Sequence, residues 1–120
     1  MIRLNGPERF DVLPLLVATD GAIAALGEDG RRLRPNIVIG GVEGLEERNW
    51  PSHRIHLGVV TVEAAQLRAR CVMTTYDPDT QIQELGVLKR IVSEFDGTMA
   101  LDCSVVKPGK IEVGDEVTVE

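Results

Sequence analysis

Seven or eight short apolar or alternating runs, separated by Gly, Pro and Asp, constrain this chain more than any other feature of its sequence. "LLVAT" (15–19) reads as a strand, and "DGAIAALGEDG" (20–30) as a short helix in which Asp20 caps, Ile23 and Leu26 share a face, and Gly27 ends the coil. "PNIVIGG" (35–41) is a strand closed by paired glycines, and "VEGLEERNWPSH" (42–53) has no period and reads as loop. "RIHLG" (54–58) and "VVTVEAAQLRA" (59–69) form two strands around Gly58, with Ile55, Leu57, Val60 and Val62 in phase. "CVMTTY" (71–76) is another apolar, β-branched run, and "DPDT" (77–80) is a turn. "TMALDCSVV" (98–106) is a strand, followed by a short strand through Ile111 and Val113, a Gly114–Asp115 corner and a last strand. Only "QELGVLKRIVSEF" (83–95) carries a convincing helical stripe, made of Leu85, Leu88, Ile91, Val92 and Phe95. The expectation is a mainly β, barrel-like domain with one amphipathic helix and short extra helices.

At 120 residues the chain reads as one domain, large enough for a core without staples. Aromatics make up only 3%, so that core must come from Val, Ile, Leu and Ala. A net charge of −6 and the scarcity of stacking rings argue against nucleic acid and acidic membrane as partners. The longest apolar runs, such as Leu13 to Ala18, are too short to span a bilayer. No signal peptide is evident, and two cysteines do not make a disulfide scaffold, so a cytoplasmic location with reduced thiols is expected.

Most catalytic patterns are missing. "GGVEG" has neither dinucleotide nor P-loop spacing and reads as a tight turn. No G-x-S-x-G occurs. His53 and His56 point apart if "RIHLG" is a strand, which argues against zinc. Two stretches stand out. "RRLRPN" (31–36) concentrates three arginines at the mouth of a strand, either as an anion site or as a solvated loop with surface ion pairs. Cys71 follows Arg70. It is either a small core residue, the usual role of a cysteine, or a nucleophile or soft-metal ligand activated by the guanidinium, provided a strand end brings both to one rim. Cys103, within "ALDCSVV", reads as core.

Taken in order, "RLRPNIVI" (32–39), "RCVMTTYDPDT" (70–80) and "PGKIEVGDEV" (108–117) resemble the MOSC domain, named for the C-terminal domain of molybdenum cofactor sulfurase. The version found in the mitochondrial amidoxime-reducing proteins and their bacterial relatives is the most similar. The resemblance covers nearly the whole chain, so residues 1–120 are expected to form one MOSC-like β-barrel domain without the N-terminal β-barrel domain of the larger members. It implies that Cys71 is the thiolate ligand of molybdenum and the catalytic residue, with Arg34, Asn36 and Arg70 contacting the pterin or its phosphate. It also implies the molybdenum cofactor, an electron-donor protein, or a separate chain covering the cofactor. The lysine-bearing domain of the sulfurase is absent from the resemblance, so no pyridoxal phosphate site is expected. The family's pattern is not fully kept: Leu33 replaces an aromatic, Ala69 a hydroxyl residue, Arg68 a cysteine and Ala22 a serine.

Three functions fit these residues. The first is a cofactor-binding oxidoreductase, or half of one, acting on N-hydroxylated or N-oxide substrates. The second is a sulfur carrier with a persulfide on Cys71. The third is a binding or scaffold domain that keeps the barrel without the chemistry.

Overall fold

The computed structural model describes residues 2–4 and 15–120. Leu13 and Pro14, at the start of the first apolar run, lie outside the described residues. Seven strands form one sheet: β1 (Ile2–Leu4), β2 (Leu15–Thr19), β3 (Ile37–Ile39), β4 (Arg54–Leu57), β5 (Val60–Ala69), β6 (Thr98–Lys107) and β7 (Val117–Val119). Their spatial order is β1-β3-β2-β6-β5-β4-β7, and among the described residues only β2 and β3 run parallel. The sheet curls into a half-barrel. Three register shifts between β5 and β6 bend this long pair, as bulges do. The alternation read from the sequence holds, since Ile55, Leu57, Val60 and Val62 are all buried in the main core with Leu15, Val17, Leu101 and Cys103.

Two helices flank the sheet, α1 (Asp20–Leu26) and α2 (Leu85–Phe95). Gly27 ends α1 in the left-handed region, as expected. The cap, however, is Thr19, whose hydroxyl accepts from the Ala22 N–H at 3.3 Å. Asp20 instead takes the Gly41 and Val42 N–H groups at 2.7 and 2.9 Å, pinning the glycine turn after β3. That turn packs so closely on α1 that a Cβ on Gly21 would stand 2.2 Å from the Gly44 carbonyl oxygen.

α2 packs by a narrower stripe than its sequence suggests. Val87, Ile91 and Phe95 are buried with Leu26, Leu33 and Met99, and Leu88 is half-buried. Leu85 and Val92 are 56% and 58% exposed. Val87, Ile91 and Phe95 repeat at i, i+4 and i+8, so the helix touches its neighbours along one row and the flanking apolar positions face out.

Three other segments depart from their sequence reading. The 71–76 run is not a strand, and Val72–Thr75 forms a 3-10 turn. β6 begins at Thr98, opposite Ala69, and the Arg70 N–H takes the Gly97 carbonyl at 2.9 Å, so the ladder has no partner left for residues beyond. The Thr74 and Thr75 hydroxyls then donate back to the Cys71 and Val72 carbonyls, which favours coiling over extension. The stretch 42–53 contains a 3-10 turn, Glu46–Asn49, anchored by the buried Glu47. Ile111 is buried but forms no strand, because the Asp115 carboxylate accepts from the Glu112 N–H at 2.9 Å and closes a turn there.

Among the described residues no helix is long and apolar enough to cross a membrane.

Candidate functional site

Residues 70 and 71 sit just past the end of β5, where strict strand alternation no longer separates their side chains. Cys71 is exposed, with extended backbone at the head of the 3-10 turn, and forms no disulfide. Its carbonyl is fixed twice, by the Thr74 hydroxyl at 2.9 Å and the Thr74 N–H at 3.2 Å. Arg70 is half-buried, and its Nη2 donates to the Leu33 carbonyl. Its Nε and Nη1 are buried with no hydrogen-bond partner among the described residues. Burial first, and then the like charge of Arg68, lowers the Arg70 pKa, while the neighbouring Cys71, Asp102 and Glu47 act the other way. The guanidinium and the thiol are neighbours in sequence at the strand end, with no hydrogen bond between them among the described residues.

The "RRLRPN" arginines divide into three roles. Arg31 is exposed and pairs with Asp29 at 2.7 Å and Asp79 at 2.8 Å, a surface pairing of small energetic weight. Arg32 is only 4% exposed and serves the interior. Arg34 has a left-handed backbone (φ 54°) at the end of the Gly30–Leu33 turn, and its exposed side chain has no hydrogen bond or ion pair among the described residues. Asn36 is partly committed to the fold. Its Oδ1 accepts from the Leu16 N–H and its own N–H donates to the Leu16 carbonyl, both at 2.8 Å.

The structure thus brings the Arg34 and Cys71 segments together through Arg70 on Leu33, and the Arg34 and Cys71 side chains have no bonding partner among the described residues. The 420 Å³ concavity beside α1, lined in part by Ile23, Asp29, Arg31 and Pro35, contains none of Arg34, Asn36, Arg70 or Cys71.

Cys103 lies in the main core, and burial pushes its thiol up to about 12. At pH 8 its thiolate fraction is on the order of one in ten thousand. A small alkylating reagent at pH 8 is expected to label Cys71 quantitatively before Cys103 in the folded protein, as read by mass spectrometry. Equal labelling of both would contradict this placement.

Two residues central to this region carry no signal in the sequence. Glu47, fully buried, accepts from the Thr19 hydroxyl at 2.7 Å and from the Ala100 N–H at 2.8 Å. Burial raises its pKa despite those bonds. Ala100 has φ 69° near the start of β6, beside a register shift against β5, so Glu47 holds the backbone where the strand is irregular. Arg32 is the other, hidden among arginines that look alike in sequence.

The MOSC domain model matches residues 20–118. The chain is 32% identical over 126 residues to mitochondrial amidoxime reducing component 2 of Homo sapiens, a match covering 89% of this chain and 37% of that protein. It is 31% identical over 86 residues to mitochondrial amidoxime-reducing component 1 of Homo sapiens, covering 67% and 23%. The chain therefore spans 37% of the first relative's length and 23% of the second's. Among solved structures, YiiM from Geobacillus stearothermophilus superposes with a TM-score of 0.64 at 13% identity, covering 88% of this chain and 53% of that one. YiiM from Escherichia coli gives 0.58 at 15% identity, covering 92% and 55%. Those two likenesses speak for the fold, and the family match together with the human relatives speaks for descent: the chain belongs to the MOSC domain family.

Proposed function

We propose that this chain holds a molybdenum cofactor through the Cys71 thiolate and forms the cofactor-binding part of an oxidoreductase acting on N-hydroxylated or N-oxide substrates. One observation carries the reading. Next in sequence to an exposed, free thiol, Arg70 keeps two buried nitrogens, Nε and Nη1, without a hydrogen-bond partner among the described residues. Buried donors are seldom left unpaired, and an anionic ligand drawn to this charge would meet them once the residues covering Arg70 shift.

The residues present fit such a group. A cysteine thiolate suits a soft metal centre. Arg34 has its whole guanidinium available for a phosphate, which its planar fork can hold with two parallel bonds. Asn36 fits less fully, since Leu16 occupies its carbonyl oxygen and leaves only the amide nitrogen to donate. The cofactor, when bound, supplies two-electron oxygen-atom chemistry. This chain's residues bind it, orient it and place positive charge beside its anionic parts. Ligand sites usually bury most of their ligand, and Cys71 is exposed. The proposal therefore extends to a separate chain covering the cofactor and to an electron-donor protein.

The test is elemental analysis of protein purified from cells that make the cofactor. Bound molybdenum with pterin fluorescence supports the reading. Labile sulfur on Cys71 without metal would replace it with the sulfur-carrier reading, and neither would leave a scaffold domain. Replacing Arg34 by Ala is expected to weaken cofactor retention by about 1.5–3 kcal/mol, the usual weight of a charged hydrogen bond. Arg34→Lys should weaken it too, because a point charge lacks the fork. Unchanged retention in a dialysis series of both variants would remove Arg34 from the site.

A further inference from the structure

Two segments carry the uncommitted groups, the Gly30–Leu33 turn leading into Arg34 and the Val72–Thr75 turn following Cys71. Each sends an arginine into the backbone of the other. From the first, Arg32 Nη1 donates to the Thr75 carbonyl at 2.9 Å and approaches the Thr74 carbonyl at 3.4 Å. From the second, Arg70 donates to the Leu33 carbonyl. The two bonds cross, so neither segment can shift without breaking one of them.

Arg32 does more than bridge. It is surrounded by Glu28 at 3.5 Å, Asp77 at 3.7 Å and Glu84 at 3.7 Å, contributed by the end of α1, the "DPDT" turn and the start of α2. Glu28 is in turn held by Arg90, whose Nη1 reaches the Leu26 carbonyl at 3.0 Å. On the other side, the fully buried Thr74 and Thr75 pass the constraint on, their hydroxyls donating to the Cys71 and Val72 carbonyls. A continuous path therefore runs from Arg32 through Thr74 to the Cys71 backbone. A single guanidinium donates to two carbonyls through Nη1 and faces three carboxylates as ion pairs at 3.5–3.7 Å, while its Nε makes no hydrogen bond among the described residues; a lysine cannot copy this planar, spread charge.

We propose that Arg32 is the positioning residue of this site, setting where Cys71 stands relative to Arg34 without itself touching the ligand. The inference rests on the proposed role of Cys71 only for its consequence on the cofactor. The placement of Cys71 can be read without any cofactor.

The experiment uses a trifluoromethyl tag on Cys71, read by fluorine NMR, and, on separate untagged preparations of the same proteins, molybdenum content and the thermal midpoint. Wild type, Arg32→Lys and Arg32→Met are compared. Arg32→Lys keeps a positive charge among the three carboxylates and serves as the milder variant. The expected result is one sharp fluorine line in wild type and a split or broadened line in both variants while they remain folded. Molybdenum content should fall by on the order of tenfold, as when a group supporting a ligand is lost. A lowered midpoint with an unchanged fluorine line in Arg32→Lys would make Arg32 merely a stabilising residue and overturn the proposal. Failure of Arg32→Lys to fold would overturn it as well. If the line changes but wild type carries no molybdenum, positioning stands and the cofactor reading fails. If wild type carries molybdenum and the line and content are unchanged in the variants, positioning fails and the cofactor reading stands.

Discussion

Glu47→Ala will lower the stability of the protein by about 2–5 kcal/mol, measured by denaturant unfolding at neutral pH. The carboxylate occupies a fully buried position and holds two donors, the Thr19 hydroxyl and the Ala100 N–H. Removing it leaves both donors buried, each worth about 1–3 kcal/mol unpaired. Ala100, with φ 69°, also loses the bond that holds its unfavourable backbone. Glu47→Gln should cost only about 1 kcal/mol, because its carbonyl oxygen can still accept from Ala100 and Thr19 can accept from its amide. The Gln variant also gives a pH signature. The pKa of Glu47 is raised in the fold above its ordinary 4.5, so its folded form takes up a proton more readily than its unfolded form. Its contribution is then fully present below about 4.5 and declines as pH rises through the folded value. Asp29 and Asp77, whose pKa values are lowered, act in the opposite direction but are common to both proteins and cancel in the difference. The stability gap between wild type and Glu47→Gln should therefore narrow from pH 4 to pH 8. A gap that widens over this range would contradict the buried setting of Glu47.

Ile91→Asp will abolish folding or cost upwards of about 4 kcal/mol, by urea unfolding or circular dichroism, since it places an unpaired charge among Leu26, Leu33, Val87, Phe95 and Met99. The informative partner is Val92→Asp, one position along the same helix. Val92 is exposed, so this change should stay within about 0.5 kcal/mol apart from helix propensity. Comparable losses in both would mean that α2 packs by the wider stripe written in its sequence rather than by the narrower row seen in the structure.

That contrast shows what periodicity carries and what it omits. Alternation at Ile55, Leu57, Val60 and Val62 placed β4 and β5, because a half-buried strand imposes a period of two whatever its neighbours are. The 83–95 stripe located a helix, but which three of its apolar residues meet a core depends on what stands opposite. Val87, absent from that stripe, is one of the three. The "CVMTTY" run misled because β-branched residues favour strands only where a partner strand exists, and β6 supplies none beyond Ala69. Motif order singled out Cys71, Arg70, Arg34 and Asn36 as candidates. The structure brings the Arg34 and Cys71 segments together and finds Asn36 partly spent on Leu16. Glu47 and Arg32 were not legible. A buried carboxylate in a charged loop, or one buried arginine among three, is defined by contacts 28 to 53 residues away in sequence.

The role of Cys71 is the central claim, and the ratio of molybdenum to protein in matched preparations of wild type and Cys71→Ala, both from cofactor-producing cells, tests it most directly. Cys71 is exposed, so its replacement should leave the fold intact while removing the thiolate proposed as the metal's ligand. The account predicts molybdenum in wild type and none above background in Cys71→Ala. Equal molybdenum in both, or none in either, would contradict it.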